Sequence, residues 1–358
     1  MRRFRPLALA ALLSVALAGG RESNPDARQQ ATIQAVIKLF DRTPLVALGE
    51  VHGVNELHAF FRALVADPGF GRNVNAVVVE FGNARYQAVA DAFVLGTRHV
   101  PDDELRQIWR NTTQSGLTDV WDAPVYERFF RAVRAANRAR PAGQAAMRVV
   151  LADPPIDWTR INSTKDYVRF VDRDGFYART VEREILAKHQ RALLIAGLGH
   201  VARLSPSNFN PSGTAIEQIQ RRYPGSVTVL MPYLGFPRHL QEKARQLEQM
   251  PAPQLIMTHS TWLGKLSAAE VLEGPPEAPL NMSEGLGQRL LQTVVDGVLV
   301  LGRPSTFTIS IPDPALYKNP RYAAEVLRRR QIFKEIMDMR GDFLTAKPAS
   351  SILYFEQH

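Results

Sequence analysis

Cysteine is absent from the 358 residues of this chain, so the protein forms no disulfide bond and has no thiol that could carry a lipid. The sequence also lacks a G-x-S-x-G motif, which argues against a serine nucleophile on a strand-to-helix turn. H-E-x-x-H and comparable local metal spacings are missing as well. Any acid–base or metal site must therefore be assembled from residues that lie far apart in the sequence.

The N-terminus has the features of a secretory signal peptide over residues 1–18. Three arginines precede the apolar run PLALAALLSVALA, which at roughly 13 residues is too short to span a bilayer comfortably. The following LAGG resembles a lipoprotein cleavage box in which glycine replaces the lipid-bearing cysteine. We therefore expect an exported protein, periplasmic or secreted, without a stable membrane anchor; the alternative is an uncleaved apolar tail. Residues 19–39 are expected to form a linker and a first helix.

The chain is basic, with a net charge of +9 and a pI near 9.9, which is compatible with acidic partners. Its arginines are scattered, however, and the runs RAVRAANRARP and VLRRRQ have helical spacing beside acidic neighbours. No module that combines basic and aromatic residues for nucleic-acid binding is visible. We interpret the basic runs as solvated helix faces and predict a small-molecule substrate, with no nucleic-acid partner.

Short runs rich in β-branched residues alternate with amphipathic stretches, a pattern typical of an α/β fold. We predict a mostly parallel sheet flanked by helices, with strands at LVALGE, NAVVVEFG, MRVVLADPP, RALLIAGLGH, SVTVLMPY, PQLIMTH and DGVLVLG. Helices are predicted near residues 54–66, 84–95, 102–110, 124–138, 175–189 and 212–223, and as a final pair from about 319 to 340. Residues 40–358 are expected to form one domain, with a helical insert over 100–140 and a C-terminal helical segment.

Ionisable residues end four of the predicted strands. Glu50 and His52 follow the first strand, and the next three end at Glu80, Asp153 and His200. In an open parallel sheet, ligands bind beyond the carboxyl ends of the strands, so these side chains are expected to share one crevice. Burying such ionisable side chains costs free energy unless they are paired with a partner, and they are therefore retained mainly where they take part in function. The pattern predicts a functional site at this edge of the sheet.

Each of these residues also has a structural interpretation. Glu50 and Glu80 could cap helix N-termini, while His52 and His200 could be polar residues satisfied by the backbone. Asp153 precedes two prolines and could form a turn. The structural interpretation needs four independent coincidences at one edge of the sheet, and we therefore favour a shared functional site.

Ordered motifs over residues 40–236 resemble a known family. The segments ALGEVHGVNELHAFF, VVVEFGNARYQAVADAFVLG, RDGFYARTVEREIL and ALLIAGLGHVARL are similar in order and spacing to the erythromycin esterase family. They also resemble the wider superfamily that contains the ChaN-like haem-uptake lipoproteins and the Tiki/TraB proteins. The resemblance implies an α/β fold with a deep cleft, in which a histidine activates water and no metal is required.

The resemblance also implies roles for individual residues. Glu50 and His52 match the first Glu/His motif of the family, in which the histidine is the proposed general base, and Glu80 and His200 match later motifs. Arg62 falls one residue away from a family arginine. Two departures point away from macrolide ester hydrolysis itself: one residue separates Glu50 from His52, as in the haem-uptake branch, and the later motif has a single histidine.

The resulting hypothesis is an exported, esterase-like hydrolase that acts on an ester or related acyl substrate. His52, held by Glu50 or Glu80, would take a proton from water. His200 or Arg62 would stabilise the oxyanion or protonate the leaving alcohol.

Two alternatives stay open. In the first, a divalent metal or haem is bound, with His52, Glu80, Asp153 and His200 as candidate ligands in an uptake or carrier protein. In the second, the fold has lost catalysis and serves as an interaction module.

Several other residues receive weaker predictions. Arg173 is expected to support the cleft, while Asp174 is expected to cap the helix that begins there. His58 is predicted to lie on the surface, and His259 to be a satisfied histidine at a strand end. Four aromatic residues could belong either to the core or to a substrate wall: Trp109, Trp121, Trp158 and Tyr126.

Overall fold

The computed structural model describes residues 25–204, 206, 212–259, 261–276, 280, 282 and 286–339. The predicted signal peptide lies outside these residues. In the described part of the chain, no helix is both long and apolar enough to cross a bilayer.

Seven strands form one sheet, and all seven coincide with predicted strands. Their bounds are β1 (Leu45–Glu50), β2 (Ala76–Asn83), β3 (Arg148–Asp153), β4 (Ala192–Gly197), β5 (Val227–Pro232), β6 (Gln254–Met257) and β7 (Gly297–Val300). The order across the sheet is β3-β2-β4-β1-β5-β7-β6. Every neighbouring pair is parallel except β6 with β7, which is antiparallel. The predicted α/β fold with a mostly parallel sheet is confirmed.

Helices cover both faces of the sheet, which is why β1 is buried at every position and lacks a polar alternation. Val46 and Leu48 pack on one face against the helices between residues 25 and 138. Leu45 and Ala47 pack on the other face against helices between residues 173 and 294. Successive side chains of a strand point to opposite faces, so one apolar run serves two cores.

The α-helices of the described residues have the following bounds: α1 (Pro25–Leu39), α2 (Asn55–Ala66), α3 (Pro68–Asn73), α4 (Gln87–Val94), α5 (Asp102–Arg110), α6 (Pro124–Arg138), α7 (Thr164–Tyr167), α8 (Arg173–Glu184), α9 (Leu198–Val201), α10 (Ala215–Arg222), α11 (Gln241–Glu248), α12 (Ala268–Glu273), α13 (Leu291–Val294) and α14 (Pro320–Met339). The final helical pair predicted over 319–340 is wrong, because α14 is one continuous helix. After Pro320 its sequence contains no glycine or proline that would interrupt it.

The C-terminal segment reaches back over the loop that follows β1. Ile309 forms an isolated bridge with Val54, and the Ser310 amide donates a hydrogen bond of 2.8 Å to the Gly53 carbonyl. Further along, the hydroxyls of Tyr317 and Tyr322 donate to Asp122, at 2.8 and 2.5 Å. The C-terminal segment thus contacts both the loop after β1 and the insert.

Candidate active site

The site begins with Glu50, the last residue of β1, which is 3% exposed. Its Oε2 contacts the Nδ1 of His52, and its Oε1 lies 2.8 Å from the Nε2 of His58. Both histidines donate, and the carboxylate accepts. The N-cap of the following helix is Val54, which has no side-chain cap. The helix-cap interpretation of Glu50 is therefore wrong, because its two oxygens bind two histidines.

The loop that carries His52 turns at Gly53, whose φ is +78°. This is the left-handed region that favours glycine. A Cβ at Gly53 would also lie only 2.9 Å from the Cγ2 of Val120 in the insert. The glycine of the GEVHG sequence thus permits both the turn and the close approach of the insert to His52.

His52 is the most exposed histidine of the cluster, with 31% of its side chain accessible, and its ring packs against Trp121 at 4.7 Å between centroids. Burial lowers the pKa of His52, but the carboxylates of Glu50 and Glu80 outweigh burial and raise that pKa to about 9. At neutral pH His52 is therefore an imidazolium, with one proton on Nδ1 and one on Nε2. An imidazolium has no lone pair, so the electrostatics oppose the predicted role as general base and favour a proton donor.

Glu80, near the end of β2, is a buried carboxylate that holds two other elements. Its Oε1 accepts a 2.5 Å hydrogen bond from Arg173, the first residue of α8, and its Oε2 accepts from the Gly197 amide at the end of β4. Burial raises the pKa of Glu80, but the positive charges of His200 when it is protonated, of Arg173 and of His52 outweigh burial and lower that pKa to about 2. Glu80 is thus a fixed negative charge, and it caps no helix.

His200 lies in α9, directly after β4. Its Nδ1 is 3.0 Å from Asp174 Oδ2, and its Nε2 is 3.3 Å from an Nη of Arg173. In the neutral ring with its proton on Nδ1, donated to Asp174, Nε2 has a lone pair that can accept from Arg173. Oε1 of Glu80 lies 3.6 Å from the same Nε2. In that tautomer, Nε2 of His200 is a proton acceptor.

The predicted capping role of Asp174 is wrong. The cap of α8 is Asp172, whose side chain accepts from the Gly175 amide at 3.0 Å. Asp174 is buried two residues further on, where it binds His200 and also accepts from the Ala215 amide at 2.7 Å. Its position is thus fixed by two elements, and it orients the His200 ring.

Gly197 marks the point at which these side chains meet. A Cβ built on it would lie 3.2 Å from Glu80 Oε2, 3.6 Å from His200 Cδ2 and 3.7 Å from His52 Cε1. The structure therefore brings together three of the strand-end residues that the sequence singled out. The three come from β1, β2 and β4, which are neighbours in the sheet.

Asp153, at the end of β3, supports the site from behind. Its carboxylate is fully buried, accepts hydrogen bonds of 2.6 Å from the amide and the hydroxyl of Thr113, and lies 3.5 Å from Arg173. Burial raises the pKa of Asp153 to about 7, against the charge of Arg173 and the bonds from Thr113. The turn interpretation is wrong, because this side chain connects the insert to the arginine of the site.

The four aromatic residues are all buried, but they have different neighbours. Trp121 contacts His52 and stacks on Tyr126 at 5.4 Å, while Tyr126 packs edge-on against His58 at 5.3 Å. Trp109 belongs to the main core, and Trp158 belongs to a separate small cluster. Trp121, in the 3-10 turn Asp119–Asp122, and Tyr126, in α6, therefore line the cluster around Glu50.

His58 is fully buried, so its predicted surface position is wrong. A signal was present in the sequence, because His58 precedes Phe61 by three residues and Val65 by seven and so shares the apolar stripe of α2. A histidine on such a stripe requires a buried partner, and that partner is Glu50.

Arg62 and His259 stand apart from the cluster. Within the described residues, Arg62 has no hydrogen bond or ion pair with any of the site groups; burial and the nearby charge of Arg128 lower its pKa. The structure gives Arg62 no part in the site. The side chain of His259 is 64% exposed and lies 3.6 Å from Asp296.

The donor set does not fit a divalent metal. Arg173 places a guanidinium between Glu80 and His200, where a cation would have to sit, and His52 is itself positively charged. In the part of the chain that the structure describes, no group of three or more His, Asp or Glu residues is arranged to hold a metal ion.

No family model and no curated protein sequence matches the chain. Among solved structures, a Bacillus cereus protein superposes with a TM-score of 0.53 at 12% identity, covering 81% of this chain and 95% of that one. The erythromycin esterase EreC in its open conformation superposes with a TM-score of 0.49 at 12% identity, covering 76% and 93%. ChaN of Campylobacter jejuni, solved with cofacial haem, reaches 0.35 at 15% identity, covering 56% and 85%.

At 12% identity, the likeness to the Bacillus cereus protein establishes the fold alone. The chain therefore has the α/β fold of that protein, with its candidate site at the carboxyl ends of β3, β2, β4 and β1.

Proposed function

We propose that this protein is a hydrolase that cleaves an ester or related acyl bond of a small molecule by means of activated water. One observation carries the proposal: two carboxylate–histidine pairs, Glu50–His52 and Asp174–His200, converge beside Gly197. In the proposed reaction, the Glu50–His52 pair is the proton donor and the Asp174–His200 pair is the proton acceptor. Transfer of an acyl group to water requires both functions within reach of one carbon atom.

In the proposed reaction, the Nε2 of His200 takes a proton from water while the water oxygen bonds to the acyl carbon. His200 keeps its Nδ1 proton in the hydrogen bond to Asp174, whose carboxylate stabilises the imidazolium that forms. The 3.3 Å contact from Arg173 to Nε2 is long for a hydrogen bond, and it is exchanged for one to the substrate.

Negative charge then develops on the acyl oxygen, where Arg173 and the Nε2 proton of His52 stabilise it. The bond between the acyl carbon and the alcohol oxygen breaks, and His52 gives its proton to the departing alkoxide. The products are a carboxylic acid and an alcohol. Compared with the sequence-based hypothesis, His52 and His200 exchange roles.

A panel of p-nitrophenyl esters of different acyl length tests the proposal, with kcat/KM measured for wild type, His52→Gln and His200→Gln. Each substitution should lower kcat/KM by at least about 100-fold, the contribution typical of a positioned acid or base. His239→Gln is the matched control, because His239 is an exposed histidine 3.2 Å from Glu270 on the surface, and it should retain full activity. Wild-type rates in both site variants would refute the assignment.

No cofactor is required in this proposal, and haem binding is the alternative that the sequence left open. Titration with haemin distinguishes the two. His52 is the most exposed histidine of the cluster, so His52→Gln is the variant to compare. The carrier function would be favoured by a stoichiometric haem absorption band that this variant loses, together with no hydrolysis of any ester.

An exported location belongs to the same proposal, and its support is the charged and apolar pattern of residues 1–18. Fractionation of cells that express the full chain, with detection of the protein by antibody, tests it. Retention of the uncleaved chain with the cytoplasmic proteins would contradict it.

A further inference from the structure

A second concave site lies away from the candidate active site, on the exposed side of α6. A groove of about 590 Å³ is lined by Phe93 of α4 and by five residues from the last turns of α6 and just beyond it: Arg131, Arg134, Ala135, Arg138 and Ala139. The spacing brings the arginines to one side of the helix, because residues three and four apart are neighbours on a helix surface. Ala135 between them and Ala139 after them have small side chains that keep the groove open.

The positive charge of this groove is only partly compensated. Arg131 donates hydrogen bonds of 2.7 Å to Glu127 and to Asp102. Arg134 and Arg138 form no ion pair or hydrogen bond with any residue that the structure describes. Two neighbouring guanidinium groups thus remain without a counter-charge.

Phe93 holds the arginine side chains in place. The guanidinium of Arg134 lies 4.5 Å from the centre of its ring, and that of Arg131 lies 5.8 Å away. Such cation–π contacts orient a guanidinium while leaving its edge available for hydrogen bonds. The Nε of Arg134 is buried without an acceptor, and burial together with the charges of Arg138 and Arg131 lowers the pKa of Arg134. An anion in the groove would relieve this repulsion.

We infer that the groove around Arg134 and Arg138 binds a phosphate group carried by a larger molecule. Two or more negative charges match the uncompensated arginines, and the planar fork of arginine matches phosphate oxygens in pairs. The groove is larger than one phosphate needs, so it has room for part of the molecule to which the phosphate is attached. That molecule is either a soluble phosphate compound or a phospholipid head group, and both present the same chemistry.

The test uses the full chain and two probes: pyrophosphate, titrated by calorimetry at low and at physiological salt, and vesicles of phosphatidylcholine with or without phosphatidylglycerol. The variant is the double substitution Arg134→Gln with Arg138→Gln. The matched control is Arg183→Gln with Arg245→Gln, which removes the same charge from two exposed arginines that have carboxylate partners.

Wild type and control should bind with equal affinity, and the double variant at least about tenfold more weakly. If the protein binds pyrophosphate saturably but does not co-sediment with the vesicles, the ligand is a soluble phosphate compound. Co-sedimentation that needs phosphatidylglycerol and both arginines identifies a lipid head group. The inference is overturned if neither probe binds wild type, or if the double variant binds as well as the control. Ester hydrolysis should be unchanged in the double variant, so this result is independent of the proposed function.

Discussion

Substituting Glu50 by glutamine should remove the charge that keeps His52 protonated. Glutamine has nearly the same shape and retains one acceptor oxygen, so the change is electrostatic more than steric. Without the Glu50 charge, only Glu80 still raises the pKa of His52 against burial and the charge of Arg173, so that pKa should fall from about 9 toward its ordinary value of 6.5. His52 would then be largely neutral at neutral pH.

The same shift has a consequence for stability. Raising the pKa of an imidazole from 6.5 to about 9 corresponds to at most about 3 kcal/mol, and solvent screening at the exposed edge of the ring reduces this figure. Because the folded state holds the proton more tightly, the stabilisation is fully present below pH 6.5 and is lost as the pH rises through about 9. The difference in free energy of unfolding between wild type and Glu50→Gln should shrink over this range.

Nuclear magnetic resonance titration of the His52 Cε1 proton measures the pKa directly, and urea unfolding at several pH values measures the stability difference. Glu270→Gln is the control, since Glu270 forms a similar pair with His239 on the surface, where water screens both groups. It should change neither quantity. Titration of His52 near 6.5 in the wild type, or an unchanged His52 pKa in Glu50→Gln, would show that Glu50 does not hold the proton on His52.

Three further changes test other parts of the site. Gly197→Ala should lower kcat/KM about tenfold or more with little change in melting temperature, because its Cβ would press on Glu80 where the side chains meet; unchanged kinetics would contradict the convergence. Asp174→Asn should lower kcat of the folded variant on p-nitrophenyl esters, since an amide can donate to Nδ1 and so favour the wrong tautomer of His200, whereas the carboxylate can only accept; a folded variant with the kcat of wild type would leave Asp174 a structural role alone. Asp122→Ala should lower the free energy of unfolding by about 1–3 kcal/mol, seen in urea denaturation, because two tyrosine hydroxyls lose a buried acceptor, and an unchanged value would show that this clamp adds no stability.

The strands could be predicted from sequence because each is a short apolar run that stops at polar residues or turns. LVALGE, the sequence of β1, is buried on both faces. Its first five residues include none of the polar side chains that the solvent-exposed face of a helix would carry. Their order could not be predicted. β4 lies between β1 and β2, and β6 runs antiparallel, and both facts depend on pairings between residues far apart in the chain. Short helices such as α9 were missed because four residues carry no periodicity and the helix depends on packing.

For the site, the rule that parallel strands end at one edge was sufficient to select Glu50, His52, Glu80 and His200. It could not find His58 or Asp174, since both lie within helices and reach the cluster through side chains. Nor could the rule assign protonation, because the partners of each ring depend on which helix packs beside which strand.

The two histidines of the site differ because their carboxylates have different partners. Glu50 is surrounded by imidazoles and no arginine, so its charge is available to hold a second proton on His52. Glu80 instead pairs with Arg173, which also faces Nε2 of His200 at 3.3 Å. In the proposed reaction, this arginine, the first residue of α8, therefore distinguishes the two histidines, since it pairs with Glu80 and not with Glu50. It follows that Arg173→Gln should do more than weaken substrate binding: Glu80 loses its ion-pair partner and the developing oxyanion loses a donor, so kcat for the p-nitrophenyl esters should fall as well as KM rise.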